Sequence, residues 1–139
     1  MCYNIYMNNT YLRTKTSVSL INYRFVFCPR YRRKIFDIPG VEARFKELTS
    51  IKSASLGIEI LAMECHHDHV HLFLSCPPIY SPADIMKYIK GASSLELRQE
   101  FPKLSAMPSL WTRSYFVSTA GDVSSDTIQW YVSTQKSRP

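Results

Sequence analysis

A histidine-rich stretch that alternates between apolar and polar residues constrains the fold of this chain most. All four histidines lie within the six residues 66–71. From position 69 to 76 the sequence alternates polar and apolar side chains, which predicts a β-strand with one buried face. His69 and His71 then lie on the same, unburied face, about 7 Å apart at a rise of about 3.3 Å per residue. Both imidazoles can then reach one metal ion, which would need a third ligand from elsewhere in the chain. The alternative is that both are simply polar residues on a solvated strand face.

Length and composition favour a single domain with a polyanionic partner. The chain has 139 residues, of which 45% are hydrophobic, so residues 1–139 suffice for one domain with its own core. The net charge of +6 makes nucleic acid the first candidate partner. No apolar run resembles a signal peptide or a membrane span, so we expect a cytoplasmic protein with no membrane partner.

The cysteines suggest free thiols rather than disulfides or a zinc site. Cys2, Cys28, Cys65 and Cys76 show no paired spacing, which favours a reducing compartment. A zinc site that uses Cys65, His66 and Cys76 is the alternative. It is disfavoured because Cys76 falls on the core face of the strand, opposite His69 and His71.

The order of the predicted elements indicates a ferredoxin-like fold. Strands are predicted at 18–28, 58–65, 69–76 and 110–117, and helices at 41–54, at 81–102 and at 124–137. The apolar face of the first helix is formed by Val41, Phe45, Leu48 and Ile51. This βαββαβ order predicts an α+β fold with an antiparallel sheet, two helices on one face and a free second face. Residues 18–117 form that core, residues 1–17 an N-terminal arm and residues 124–137 a terminal helix.

A basic loop follows the first strand. Arg30, Arg32, Arg33 and Lys34 surround Tyr31. Cations next to an aromatic ring suit contact with phosphates while the ring stacks on a base. The alternative is an ordinary solvated loop.

The last predicted helix carries a tyrosine and a glutamine on one face. Ile128, Tyr131, Val132 and Gln135 follow the spacing i, i+3, i+4, i+7. If this helix packs on the open sheet face, Tyr131 brings a nucleophile and Gln135 a third metal ligand to His69 and His71. Otherwise Tyr131 is a core residue and Gln135 a surface amide.

Four segments together resemble the single-tyrosine HUH transposases of small bacterial and archaeal insertion sequences and their REP-associated relatives. They are residues 27–34, 67–72, 111–117 and 131–135. The resemblance implies that His69, His71 and Gln135 bind a divalent metal, for which Mn²⁺ and Mg²⁺ are the candidates. It also implies that Tyr131 is the nucleophile and forms a 5′-phosphotyrosine.

The same resemblance implies a substrate and an assembly. The substrate is expected to be single-stranded DNA folded into hairpins near the ends of the insertion sequence. The assembly is expected to be a homodimer that exchanges the last helix, so that each active site is composite.

Two other classes of protein share parts of the pattern. His67, His69 and His71 alternate as in a histidine-triad nucleotide hydrolase, although Asp68 replaces the hydrophobic residue expected between the first two. A non-catalytic ferredoxin-like RNA-binding module would place stacking aromatics on the open sheet face. Neither alternative explains Tyr131, Gln135 and the basic loop together.

Overall fold

A four-stranded antiparallel sheet organises residues 11–119 and 125–138, the part of the chain that the computed structural model describes. In chain order the elements are β1 (Leu12–Arg13), β2 (Val18–Ser19), β3 (Asn22–Phe27), α1 (Val41–Ser55), β4 (Glu59–Cys65), β5 (Val70–Ser75), α2 (Pro82–Glu100), β6 (Phe116–Ser118) and α3 (Ser125–Ser133). Single 3-10 turns cover Arg30–Arg32, Ile35–Asp37 and Pro102–Leu104. The sheet order is β4-β5-β3-β6. This arrangement confirms the predicted ferredoxin-like α+β fold.

The main core fills the space between one face of this sheet and the two long helices. The predicted alternation on β5 is confirmed, because Val70, Leu72 and Leu74 are fully buried while His71 and Phe73 are not. Phe25 and Phe27 of β3 join the same core, together with residues from α1 and α2. The opposite face of the sheet therefore carries His71.

Helix α2 begins as the sequence predicts, with a capping box. Ser81 Oγ accepts a hydrogen bond from the Asp84 N–H at 3.0 Å, and Asp84 Oδ2 accepts one from the Ser81 N–H at 3.2 Å. Pro82 occupies the first turn, where its missing N–H costs nothing. None of the described helices is long and apolar enough to cross a membrane.

The buried face of α1 differs from the predicted one at its C-terminal half. Val41 and Phe45 are buried as expected, but Ile51 is 62% exposed. Thr49 and Ser53 are buried instead, so the buried positions recur every four residues. Helix α1 packs against α2, and hydrophobicity alone would not have placed these two small polar side chains in the core.

The predicted first strand is divided into two. Residues of β2 pair with β1 in a separate two-stranded ribbon, and only β3 enters the main sheet. The Thr14 N–H donates to the Ser17 carbonyl at 2.8 Å and closes the ribbon turn. Part of the predicted N-terminal arm is therefore ordered as a strand, and residues 1–10 lie outside the described residues.

The predicted strand at 110–117 is mostly irregular. Only Phe116–Ser118 pairs with β3, and Trp111 makes an isolated bridge with Pro29. Lys90 Nζ donates to the carbonyls of Thr112 at 2.9 Å and Ser114 at 2.8 Å. Because a lysine from α2 satisfies these carbonyls, the segment needs no strand partner there.

The last helix ends earlier than predicted. Helix α3 stops at Ser133, and residues 134–137 form a turn. The Gln135 N–H donates to the Val132 carbonyl, three residues earlier, at 3.1 Å. An α-helix would bond residues four apart, so the last turn here is of the 3-10 type. Gln135 thus lies just beyond the helix, and residue 124 is outside the described part of the chain.

Candidate active site

Three histidine rings meet at the end of the β4–β5 hairpin. The ring centroids of His66 and His69 are 4.4 Å apart, and those of His69 and His71 are 5.0 Å apart. The nitrogen ligand atoms of all three lie within 4.8 Å of one another. We call His66, His69 and His71 the histidine cluster. It contains the predicted His69 and His71, and His66 as an additional member.

His67 lies outside the histidine cluster. Its Nδ1 hydrogen-bonds Asp37, and its side chain is 75% exposed. The cause is local: β5 begins only at Val70, and the His66 N–H donates to the His69 carbonyl at 2.9 Å, which makes 66–69 a turn. The alternating triplet His67, His69 and His71 therefore does not converge as a histidine-triad hydrolase would need.

Asp68 orients the central histidine. Its Oδ1 accepts a hydrogen bond from His69 Nδ1 at 2.9 Å. A carboxylate can only accept, so Nδ1 carries the proton and the lone pair of Nε2 is free for a metal. The other oxygen, Oδ2, accepts a hydrogen bond from Arg32 Nε at 3.0 Å and forms an ion pair with Arg32 Nη2 at 2.9 Å. Arg32 of the basic loop thus supports the histidine cluster through Asp68.

The pKa values of these groups suit metal binding. Burial raises the pKa of Asp68, but the hydrogen bonds from His69 and Arg32 outweigh burial and lower it overall. Burial lowers the pKa of His69, and burial together with the neighbouring histidines lowers the pKa of His71 to about 4. Neutral imidazoles are the form that coordinates a metal. The residues present therefore fit a divalent metal ion.

Helix α3 packs on the same sheet face as the histidine cluster. Val26 pairs with His71 across β3 and β5, so their side chains share this face. Tyr131 and Val132 form a small buried cluster with Val26 and Cys28. The face that an RNA-binding module would use for stacking is thus occupied by the protein's own helix.

Ser114 connects the tyrosine and the glutamine. Its Oγ donates to Gln135 Oε1 at 2.6 Å and lies 3.1 Å from Tyr131 Oη. Because the single serine proton is used for Gln135, the phenol donates to Ser114. The Gln135 Nε2 donates to Thr134 Oγ1 at 2.9 Å and to the Tyr131 carbonyl at 3.3 Å. Both polar atoms of the Gln135 amide, Oε1 and Nε2, are therefore hydrogen-bonded to other residues of the chain.

Burial shapes the chemistry of the tyrosine. Tyr131 is 7% exposed and Gln135 is 3% exposed. Burial raises the pKa of Tyr131 to about 12, although the hydrogen bond with Ser114 opposes this shift. The phenol is consequently protonated at neutral pH.

Three arginines line a cavity beside this tyrosine. The cavity has a volume of about 540 Å³ and is lined by Arg30, Ser109, Trp111, Thr112, Arg113, Ser114 and Arg138. We call it the arginine pocket. Ser114 is shared between its wall and the hydrogen bonds of Tyr131 and Gln135. The Tyr31 N–H donates to the Arg138 carbonyl at 2.7 Å and ties the basic loop to the turn after α3.

The four cations of the basic loop are distributed over three places. Arg30 lines the arginine pocket, Arg32 binds Asp68, and Arg33 and Lys34 line a second cavity of about 360 Å³. Tyr31 and Arg32 adopt φ values of 59° and 52°, a left-handed conformation that is unfavourable for such residues. This backbone turn is what directs neighbouring cations to different sites.

Several residues of the site were not predicted in their present roles from the sequence, although His66 was considered for the alternative zinc site. They are His66, Asp68, Arg113, Ser114 and Arg138. Arg113 and Ser114 lie in the 111–117 segment, where a strand prediction hid their roles. His66 and Asp68 belong to a turn whose geometry a period-two pattern cannot give.

The cysteines do not form the alternative zinc site. Cys76 is fully buried in the main core, away from the face of the histidine cluster. Burial raises the pKa of Cys28, Cys65 and Cys76 to about 12 in each case, which keeps them as thiols.

Comparisons with known proteins agree on one family. The family model described as "Transposase IS200 like" matches residues 17–135. The ISDra2 transposase TnpA of Deinococcus radiodurans is 30% identical over 118 residues, which is 83% of this chain and 84% of that protein. The IS200 transposase of Salmonella typhimurium is 36% identical over 105 residues, which is 71% of this chain and 66% of that protein.

Solved structures give the same result for the fold. A protein assigned as a transposase from Deinococcus radiodurans R1 superposes with a TM-score of 0.77 at 28% identity, over 89% of this chain and 97% of that one. A REP-associated tyrosine transposase bound to a REP hairpin superposes with a TM-score of 0.53 at 11% identity, over 88% of this chain and 70% of that one. At that identity the second likeness concerns the fold alone.

Proposed function

The chain belongs to the IS200-like transposase family, and on that premise we propose that it cuts and rejoins single-stranded DNA through Tyr131, at hairpins near the ends of an insertion sequence. The observation that carries this proposal is the placement of Tyr131 on the same sheet face as the histidine cluster. A buried tyrosine and a set of neutral imidazoles on one face supply a nucleophile and a metal site together.

The first step is a transfer of the phosphodiester to the tyrosine. Tyr131 Oη forms a bond to phosphorus while the bond between phosphorus and the 3′ oxygen breaks. The phenolic proton leaves to solvent, and the departing 3′ oxygen takes up a proton to become a hydroxyl. The product is a 5′-phosphotyrosine that keeps the energy of the phosphodiester, so a second 3′-hydroxyl can reverse the step and rejoin strands.

The chain holds the reacting groups in place. A divalent metal at His69 and His71, with Gln135 as the third ligand that the family resemblance implies, would supply positive charge to the scissile phosphate. Asp68 and Arg32 hold His69 in the required tautomer. Ser114 holds the Tyr131 phenol until the substrate displaces that hydrogen bond.

Cleavage of a hairpin-bearing single strand tests this function. The purified protein with Mn²⁺ or Mg²⁺ should cut such an oligonucleotide and leave a covalent protein–DNA adduct, while a perfect duplex of the same sequence stays intact. Hydrolysis of a small nucleotide without any covalent adduct would favour a nucleotide hydrolase instead.

The arginine pocket is the proposed path of the strand next to the scissile phosphate. Arg30, Arg113 and Arg138 converge there, and the wall ends at Ser114 beside the nucleophile. We expect Arg113→Ala to weaken single-strand binding and to reduce the slope of log K against log salt by about 0.7, the value of one phosphate contact on a single strand. A salt titration of binding measures this.

Arg13→Ala is the matched control for the arginine pocket. Arg13 lies in the β1–β2 ribbon, which precedes β3, whereas Arg30 follows the other end of β3. Arg13 carries the same charge as Arg113. If the protein attracted DNA only through its net charge, Arg13→Ala and Arg113→Ala would weaken binding equally. Equal salt slopes for Arg113→Ala and the unmodified protein would remove the pocket from the binding path.

A dimer with exchanged helices is the proposed catalytic assembly. In this structure α3 packs on the sheet of its own chain. Residues 119–124 include Gly121 and connect α3 to β6, and the family resemblance favours docking on a partner chain. The catalytic form would then place Tyr131 of one chain opposite His69 of the other.

Mixing two inactive variants tests that assembly. A Tyr131→Phe chain and a His69→Ala chain should regain cleavage when they form mixed dimers, because exchanged helices create one intact site per dimer. Cleavage should reach about half of the unmodified level per mixed dimer, since one of two sites is intact. Mixed dimers that form but never cleave would show that each helix serves its own chain.

A further inference from the structure

We propose that His66 is a third protein ligand, so that the metal placed at His69 and His71 by the proposed function is held by three imidazoles before Gln135 takes part. This inference rests on the proposed metal site but not on the tyrosine chemistry. It concerns which residues of this chain bind the ion and which ion they select.

The geometry of the histidine cluster supports three ligands. The ligand nitrogens of His66, His69 and His71 lie within 4.8 Å of one another. The ring centroids of His66 and His71 are 5.1 Å apart, similar to the 5.0 Å between His69 and His71. The rings of His66 and His69 are stacked, with an angle of 12° between their planes. The His66 ring must therefore rotate to bring its nitrogen to about 2.0 to 2.1 Å from an ion held by His69 and His71.

The backbone of the turn keeps His66 at the site. The hydrogen bond from the His66 N–H to the His69 carbonyl, at 2.9 Å, closes the turn over the pair. His66 is 47% exposed at its side chain, so the ring is free to adjust. The neighbouring His67 is directed to Asp37 and cannot take this place.

The surroundings of Gln135 point the same way. Its Oε1 accepts from Ser114 at 2.6 Å, and its Nε2 donates to Thr134 and to the Tyr131 carbonyl. A glutamine oxygen in this state must give up or share a short hydrogen bond before it coordinates an ion. Among the residues that the structure describes, none forms a hydrogen bond of comparable length with the His66 side chain, and the carboxylate of Glu64 lies 3.7 Å from its Nε2.

Three imidazoles also change the expected metal. Imidazole ligands suit Zn²⁺, Co²⁺ and Ni²⁺, whereas Mg²⁺ prefers oxygen ligands. The site is therefore expected to bind Co²⁺ or Zn²⁺ in the absence of DNA, and to leave one or more coordination positions for oxygen atoms of the substrate.

Co²⁺ binding without DNA tests this inference. Calorimetry gives the affinity, and the visible absorption of bound Co²⁺ reports the number and type of ligands. His66→Ala should weaken Co²⁺ binding by at least about tenfold and should alter the spectrum. Substitution of residues that only hydrogen-bond to metal ligands already lowers metal affinity by about tenfold or more. His67→Ala, one residue away, should bind as the unmodified protein does, and Gln135→Ala should keep most of the affinity.

The outcomes separate the inference from the proposed function. If His69→Ala loses Co²⁺ while His66→Ala binds it with an unchanged spectrum, His66 is not a ligand and the metal site of the proposed function remains. A large loss in Gln135→Ala with none in His66→Ala would overturn the inference in the same way. If His69→Ala itself binds Co²⁺ normally, the metal site of the proposed function is wrong. The thermal unfolding temperature of each variant, compared with that of the unmodified protein, serves as the control for an intact fold.

Discussion

Tyr131→Phe should abolish strand cleavage and leave hairpin binding nearly unchanged. The substitution removes only the attacking oxygen, while the ring keeps its packing against Val26, Cys28 and Val132. Loss of a nucleophile reduces turnover by on the order of a millionfold in other covalent enzymes. A denaturing gel measures cleavage and the covalent adduct, and a native gel measures binding.

The fold should tolerate this change. Ser114 keeps its 2.6 Å hydrogen bond to Gln135, and the lost bond to the phenol is the longer one, at 3.1 Å. We expect the free energy of unfolding to decrease by about 0.5 to 1.5 kcal/mol, the usual net contribution of one hydrogen bond. Tyr88→Phe, on α2, is the matched control and should cut normally. An adduct that persists in Tyr131→Phe would assign the reaction to another tyrosine.

Removing the metal site should have a comparable effect on cleavage. His69→Ala combined with His71→Ala removes the two ligands on which the proposed function depends, so cleavage should fall below detection. Binding should persist because phosphate contacts from cations supply most of the affinity. A chelator should reproduce the loss in the unmodified protein, and added Mn²⁺ should restore cleavage there but not in the double variant.

Two controls make the metal result specific. His67→Ala removes a histidine outside the histidine cluster and should cut normally. Thermal unfolding of the double variant should stay close to that of the unmodified protein, since His71 lies on the sheet face opposite the main core. Full activity in the presence of a chelator would exclude a metal from the mechanism.

The sequence predicted well what depends on regular periodicity. Alternation over 69–76 placed the histidines on one face and Leu72 and Leu74 in the core, because a strand has only two faces. The spacing of Tyr131, Val132 and Gln135 likewise predicted that their side chains share one face, and all three are buried, although Gln135 lies just beyond the end of α3. The ferredoxin-like order followed from the sequence of these elements.

Local irregularities were beyond the pattern. The 110–117 segment looks like a strand, yet Trp111 is anchored by a hydrogen bond to Ser93 Oγ at 2.9 Å and Lys90 satisfies nearby carbonyls. These are contacts between residues about 20 positions apart, which no period reveals. The turn at 66–69 is a second case, because its backbone hydrogen bond selects His66 over His67.

The same limit applies to the basic loop. Four cations within the five residues 30–34 predicted one phosphate-binding surface, but the left-handed conformation at Tyr31 and Arg32 separates them. Arg32 then binds Asp68, a contact between residues 36 positions apart. Charge composition predicted the class of partner, whereas the position of each charge depended on tertiary structure.

Mapping the covalent adduct tests the central claim most directly. The unmodified protein is incubated with Mn²⁺ and a hairpin-bearing single strand labelled at its 3′ end, and the adduct is digested with trypsin. Residues 114–136 form one tryptic peptide that contains both Tyr115 and Tyr131, so fragmentation spectra must assign the modified residue. We predict that the labelled fragment is attached through its 5′ phosphate to Tyr131. Attachment to Tyr115 or to any other residue, or strand cleavage with no protein attached, would contradict the account.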